Sequence, residues 1–489
     1  MRKLASAVLF DLNGVGEDYF SYMRDFDRIR VSVLERGCAS FGISYCEQKL
    51  APLVSAYLAI GGGTPFHHHP SFWQHLFESI VGRGLSYLEI RKLYGFYLDS
   101  YQATIGAYPD FLEVIAQARA RMLKIGIVAN GNTERVYRFL DKFSIRDLFA
   151  TIVTSGGGPF AKPNVEIFDL ALLNLGNLSP LTTVFVGDRL ENDVTGANKA
   201  GMWSVRLLRA DAEGVGPKGS KEEPDFSITN LSELFSLPLF GMNNSVSAAV
   251  IPCGGRGSRM GSLTDLSQKC MLPFNGKPIL ASVVRELVTI GISDIHFLLG
   301  YRAEDVVRYF EREARDFKAH FHYVNSASTG DALMQCMNEL PDAFLYSHGN
   351  ILFDRSLVCS FLKAYYKRQS ASTFVVTKQP IAKTHPIFII NQGGFCDYPI
   401  DVIRDQASRK EHVLEKAYYS VGLAIVLKED LLAGCMDRGV TTEQLLKGVL
   451  NRTRVYEYDG EWLHVESASD LNYGMSRPMR EPLEQLVSD

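Results

Sequence analysis

The sequence predicts an α/β protein of two parallel-sheet domains, the first carrying a helical insertion. Three observations lead there. Short apolar runs ending in small or acidic residues alternate with helix-like segments, the pattern of parallel strands joined by crossover helices. The pattern occurs twice, in AVLFDLNG, KIGIVANG and TTVFVGDR and again in AAVIPCGG, DIHFLLGY and AFLYSHGN. The chain's 489 residues also exceed what one hydrophobic core ordinarily organises.

Taken in order, Met1-Arg2-Lys3 before Leu4 to Phe10 imitates a secretion signal. The apolar run stops at Asp11 with no small-residue cleavage site, so it reads as a first buried strand. From Gly14 to about Pro109 the chain is amphipathic and lacks strand-forming runs, which predicts a helical cap over about 16–108. PDFSITNLSELFSL closes the first domain at about 236, and LPLFGMNN, 237–244, precedes a fresh strand and reads as the linker to a second domain over 245–489.

A net charge of −4 with 46% hydrophobic and 22% charged residues describes a soluble globular protein with too little positive charge for a polyanion partner, so nucleic acid is excluded. No run of about 18 apolar residues is present to span a membrane, and a cytoplasmic location is expected. The eight cysteines are scattered without a CxxC pair, which argues against a disulfide framework or a zinc ribbon. His67, His68 and His69 are adjacent in a Gly- and Pro-bounded stretch, and neighbours on a loop rarely point at one metal.

Open parallel sheets bind ligands where strands end, so the polar residue after each apolar run is the one to weigh. In the first half these are Asp11, Asn130, Lys162 in AKPN, and Asp188 with Asp193 in GDRLEND. Their order, with a helical insertion after the first, resembles the haloacid dehalogenase superfamily over about 235 residues. The resemblance implies that Asp11 is a nucleophile accepting a phosphoryl group and a metal ligand, that Asp188 and Asp193 hold Mg²⁺ (or Mn²⁺), that Lys162 neutralises charge and that Asn130 contacts substrate. Two positions depart from the superfamily pattern. Asn13 stands where an aspartate general acid and base is usual, and Ala129 where a hydroxyl residue is usual. An amide cannot shuttle a proton, and losing such help typically costs about 10²- to 10⁴-fold in rate.

In the second half, IPCGGRGSRMGSLTDLSQKCMLPFNGKPIL runs a strand into a loop with Gly254, Gly255, Gly257 and Ser258. Such a loop lets backbone N–H groups approach phosphate oxygens with no Cβ in the way, and Arg259 and Lys269 add fixed charge. The whole string resembles the sugar-phosphate nucleotidyltransferases. So do Gly300-Tyr301, Thr329-Gly330-Asp331-Ala332, Glu415-Lys416 ahead of SVGLAIV with Gly422, and EWLHVESASDL. Both halves are thus expected to be Rossmann-like. The resemblance implies that Thr329 and Gly330 lie against the base, that Glu415, Lys416 and Gly422 serve the sugar phosphate, and that Asn350 and Glu466 serve the metal. Asn350 replaces the usual aspartate, His464 stands where an acid is common, and Gln268 replaces a proline, for which only a local backbone effect is expected.

The implied reaction is attack by an acceptor phosphate on the α-phosphorus of a nucleoside triphosphate with release of pyrophosphate, the acceptor being a phosphorylated sugar or polyol. Fused to a phosphatase, it points to activated-sugar or surface-polysaccharide biosynthesis. Two other readings stay open on Asn13, Ala129, Asn350 and His464: a catalytically degenerate nucleotide- or sugar-phosphate-binding protein, and an active transferase joined to a pseudo-phosphatase.

Overall fold

The computed structural model describes residues 4–18, 26–60, 70–209, 223–242, 246–326, 328–368, 372–378, 387–390, 396–400, 418–434, 454–460 and 462–465, together with 467, 469, 470 and 472. Its contacts divide the chain into two compact units, one built mainly from Ala5–Leu178 and Thr182–Gly241, the other mainly from Met242–Asp489.

The first unit holds a six-stranded parallel sheet formed by β1 (Ala7–Phe10), β2 (Lys124–Ala129), β3 (Thr151–Thr154), β4 (Thr183–Gly187), β5 (Trp203–Leu207) and β6 (Phe226–Ile228). The order is β3-β2-β1-β4-β5-β6, every pair parallel. β1 and β4 are buried along their whole length, as strands covered on both faces must be, so their apolar runs do not alternate. Helix Pro109–Ala120 opens on a proline, whose missing N–H costs nothing in a first turn. It buries Phe111, Val114, Ile115 and Ala118 on one stripe. The Phe111 ring meets Phe10 edge-on at 5.6 Å.

Among the described residues, four further helices lie between β1 and that helix: Phe26–Ser40, Glu47–Ile60, Pro70–Val81 and Tyr87–Thr104. The last starts at a reciprocal cap between Ser86 and Glu89, which satisfies two orphan N–H groups. Its Tyr94, Tyr97 and Tyr101, spaced by three and four residues, stack at 5.5 and 6.1 Å. Trp73 packs on the middle ring at 5.7 Å. The 237–244 stretch differs from a loose linker where it is described. Pro238–Phe240 is a 3₁₀ turn with Leu239 fully buried, and the Phe240 ring meets Phe235 at 5.0 Å.

The second unit is built on β7 (Ala248–Cys253), β8 (Pro273–Phe274), β9 (Lys277–Pro278), β10 (Asp294–Leu299), β11 (Lys318–Tyr323), β12 (Ala343–Ser347), β13 (Ile351–Phe353), β14 (Thr373–Thr377), β15 (Ile387–Ile390), β16 (Cys396–Ile400), β17 (Tyr418–Leu427), β18 (Arg454–Glu457) and β19 (Trp462–His464). The main sheet runs β11-β10-β7-β12-β17-β14-β18. Its first four strands are parallel, but β17 pairs antiparallel with both β12 and β14. The sheet is therefore mixed, with the parallel half presenting the C-terminal ends of β7, β10, β11 and β12 at one edge. β13 pairs with β19 beside it.

Three histidines interlock on β10 and β11. His296 stacks on its cross-strand partner His320 at 4.3 Å, and its Nδ1 lies 2.9 Å from His322 Nε2. Burial, then the neighbouring His320 and His322, push His296 down to about 4. An unfolded histidine titrates near about 6.5, so the unfolded chain takes up this proton first. Stability is full above that value and erodes as pH falls toward 4. We expect urea unfolding to show about 2 kcal/mol lost between pH 7 and pH 5 and a shallower loss in His296→Phe. Equal pH slopes for parent and variant would place the acid sensitivity elsewhere.

Candidate functional site

Asp11 follows β1, and its N–H donates to the Val186 carbonyl at 2.8 Å. The carboxylate is thereby held at the C-terminal edge of the two central strands. Lys162 reaches it from the loop before helix Val165–Asn174. Its Nζ sits 2.8 Å from Asp11 Oδ1 and 2.6 Å from Asp193 Oδ1. All three side chains are buried. Asp193 also accepts from the Arg189 N–H at 2.9 Å.

Asp188 completes the group, since Asp11, Asp188 and Asp193 each offer an oxygen within 4.8 Å of the others. Asp188 Oδ1 is buried without a hydrogen-bond partner, an orphaned acceptor of the kind a bound cation satisfies. Burial, and next the charges of Asp193 and Asp11, raise Asp188 well above the carboxylate range. Burial raises Asp11 to about 6 against the opposing pull of Lys162. For Lys162 burial alone would lower the pKa, but the two carboxylates outweigh it and the net direction is up. Hard oxygen donors from three carboxylates, two negative charges in excess of their lysine when all are ionised, suit a hard divalent cation. Gly14 keeps the group open, because at its φ of +74° an added Cβ would lie 2.7 Å from Asp188 Oδ2.

Two expected residues take other partners. Asn130 donates to the Lys162 carbonyl at 2.9 Å and accepts from the Lys162 N–H at 2.8 Å. Both ends of its amide hold the lysine's backbone, so substrate contact gives way to positioning of Lys162. Asn13 accepts through Oδ1 from Arg135 Nη2 at 2.7 Å. That guanidinium is 1% exposed. It pairs with both oxygens of Glu17, which also accepts from the Tyr101 hydroxyl at 2.9 Å. This Glu17, Arg135 and Tyr101 network was not visible in the sequence.

In the second unit the residues gather at the parallel edge. Gly254 to Gly257 leave β7 with no regular structure. Gly255 is exposed, and a Cβ there would meet nothing within 4 Å, so the loop faces open space. Gly257 has φ +66°, and a Cβ on it would lie 2.8 Å from Lys269 Cβ, which sets Lys269 against the loop. Ser258 and Arg259 are exposed just beyond it. Gly254 and Gly300 press backbone to backbone, a Cβ on Gly300 falling 2.9 Å from Gly254 Cα, and the Tyr301 N–H donates to the Gly254 carbonyl at 3.0 Å. Gln268 does more than adjust the backbone: its buried amide donates to the Cys253 carbonyl at 2.8 Å and accepts from the Cys270 N–H at 2.6 Å, tying the lysine-bearing turn to the end of β7.

Thr329 and Gly330 open helix Thr329–Cys336 after β11, with Ser328 as its cap. After β12, the His348 N–H donates to the Gly422 carbonyl at 3.0 Å. A Cβ on Gly422, at φ +85°, would lie 2.8 Å from His348 Nδ1. Asn350 Nδ2 donates to the Val465 carbonyl at 2.8 Å, and the His348 and His464 rings lie 5.4 Å apart. Among the described residues no three acidic or imidazole groups converge here as they do at Asp11. Glu415, Lys416, Glu466 and the three consecutive histidines lie outside the described residues.

Known families match the two units separately. Residues 5–201 match the haloacid dehalogenase-like hydrolases, and residues 249–409 match the MobA-like NTP transferase domain. The two matches fall on separate stretches of the chain, one in each unit. Both families are families of enzymes. A glyceraldehyde 3-phosphate phosphatase of Methanopyrus kandleri is 35% identical over 141 residues, 29% of this chain and 60% of that protein. The pyrimidine 5'-nucleotidase YjjG of Escherichia coli is 34% identical over 117 residues, 23% of this chain and 49% of that protein. The bifunctional protein GlmU of Methanocaldococcus jannaschii is 30% identical over 118 residues, 24% of this chain and 28% of that protein. The chain thus spans 60% or less of the length of these relatives. Among the described residues no helix is long and apolar enough to cross a membrane.

The lysine clamp generates a direct expectation. Lys162→Met strands two buried carboxylates, and removing one partner of such a group costs about 3–5 kcal/mol. The loss, read by urea unfolding of the first unit, is expected to be full at pH 7.5 and smaller at pH 5, below the value of about 6 to which burial raises Asp11. A pH-independent loss would mean that packing, not charge, is what Lys162 supplies.

Proposed function

We propose that the chain is a bifunctional enzyme: the hydrolase domain removes a phosphoryl group through Asp11, and the transferase domain moves a nucleoside monophosphate from its triphosphate onto a phosphorylated sugar or polyol, releasing pyrophosphate. The observation that carries the first half is the buried clamp of Lys162 between Asp11 and Asp193 with the orphaned Asp188 oxygen beside it. In this reading Asp11, Asp188 and Asp193 hold Mg²⁺, which when bound neutralises phosphoryl charge. Lys162 supplies a fixed cation that holds Asp11 ionised and oriented for attack on phosphorus.

For the second half the support is the open glycine loop after β7 with Lys269 against it. Loop amides and Arg259 would bind the triphosphate tail, and Lys269 would stabilise charge near the α-phosphate. Gly422, which packs against the His348 and Ile351 side chains, would line the acceptor pocket with its backbone. Lys416 would align the acceptor phosphate. Activated-sugar biosynthesis is the setting such a pair of activities fits.

The test is direct. With Mg²⁺, the parent is expected to release phosphate from an aryl phosphate and Asp11→Ala to fall to background. With the right triphosphate and sugar 1-phosphate it is expected to release pyrophosphate, and Lys269→Ala to lose about 10²- to 10³-fold. Silence across all triphosphates and acceptors, with nucleotide still bound, would favour a binding protein.

Mg²⁺ affinity should also follow the carboxyls. Asp11 titrates at about 6 without a cation, and protons compete with the ion for it. Calorimetry is therefore expected to show affinity falling at least about tenfold per unit below pH 6, with protons released on binding. An affinity unchanged down to pH 5 would remove Asp11 from the metal site.

A further inference from the structure

The geometry around Asn13 specifies what can leave from phosphorus. Arginine has donors and no acceptor, so the Asn13 atom facing Arg135 Nη2 at 2.7 Å is the amide oxygen. The opposite end of the side chain is then the NH₂ group. The arrangement is locked, because Arg135 is held by Glu17, Glu17 by the Tyr101 hydroxyl, and the guanidinium lies 4.9 Å over the Tyr101 ring. Two residues beyond the phosphoryl-accepting carboxylate there is thus a fixed N–H donor with no proton to give. Of the other described groups, Lys162 is clamped between two carboxylates, and Asp188 and Asp193 are the carboxylates that hold the cation.

Resting on the reading of Asp11 as nucleophile, we propose that the hydrolase domain acts on phosphates whose leaving oxygen departs as a stable anion, namely acyl phosphates, enol phosphates and phosphoric anhydrides, in preference to alkyl esters. An Asp11 carboxylate oxygen bonds to phosphorus while the bond to the leaving oxygen breaks, and the electron pair departs with that oxygen as a carboxylate, enolate or phosphate. Water then attacks phosphorus, the bond to Asp11 breaks, and both water protons remain on the released phosphate, which exchanges them with solvent. Asn13 touches the leaving oxygen or a phosphoryl oxygen through its N–H and stabilises charge there without transferring a proton. The second step also lacks a base at Asn13, so the aspartyl phosphate accumulates.

The experiment uses the full chain with Mg²⁺ and a series of aryl phosphates, joined by acetyl phosphate, pyrophosphate and glycerol phosphate. Leaving-group pKa then runs from the glycerol hydroxyl, well above that of phenols at about 10, down to a carboxyl near about 4. We expect kcat/KM to fall about five- to tenfold per unit of leaving-group pKa, a burst of leaving group equal to the enzyme present, and acid-stable phosphate on Asp11 by mass spectrometry. Asn13→Asp is expected to raise kcat/KM for glycerol phosphate about 10²-fold relative to that for acetyl phosphate, flattening the series, and to remove the burst. A flat series in the parent that still depends on Asp11 would overturn the proposal, and that measurement needs no variant at Asn13. Failure of every substrate to exceed the Asp11→Ala background would instead overturn phosphoryl transfer itself.

Discussion

One ammonium group organises the hydrolase domain. Lys162 Nζ lies within 2.8 Å of carboxylate oxygens from Asp11 and Asp193, one just after β1 and the other in the turn Leu190–Val194 that follows its neighbour β4. Three acids in one buried space would repel one another and resist ionisation. The lysine makes that concentration of charge tolerable while leaving the ionised group two charges short of neutral. Asn130 fixes the lysine by its backbone rather than by its head, so the cation is placed without a competing acceptor near it. The sheet, the loop before helix Val165–Asn174 and the turn after β4 are all needed to bring these groups together.

The transferase domain depends on close backbone approach instead of charge. Gly254 and Gly300 touch across β7 and β10, which lets two loops leave the sheet as one floor. Gln268 then anchors the turn carrying Lys269 to the last carbonyl of β7. A proline at 268 could offer neither of its side-chain hydrogen bonds. The substitution thus exchanges a stiff backbone for a side-chain brace.

The parts legible in the sequence were those whose signal is local. AVLFDLNG and TTVFVGDR show both a buried parallel strand and the acid at its end, because the run and its terminus are contiguous. The glycine loop was legible for the same reason. The direction of β17 was not, since an apolar run such as GLAIVL reads alike in either orientation. Nor was the Arg135 network, whose partners are separated by 118 and 84 residues. Arg135 occupies an ordinary first-turn position of helix Thr133–Lys142, and Glu17 an ordinary turn. Only the fold reveals that both are sealed from solvent. Asn130 was legible as important but not in its role, because a strand-end amide looks the same whether it faces a ligand or the neighbouring peptide.

The stacked tyrosines of helix Tyr87–Thr104 carry a mechanical consequence. Their last rung, Tyr101, is hydrogen-bonded to Glu17, a residue six positions after Asp11. Swinging that helix outward would strip the carboxylate of a donor while it stays pressed against a guanidinium in the dry interior, so the helix and the Asp11 turn are geared together. Any opening that admits a substrate should leave this helix in place, as part of the chassis.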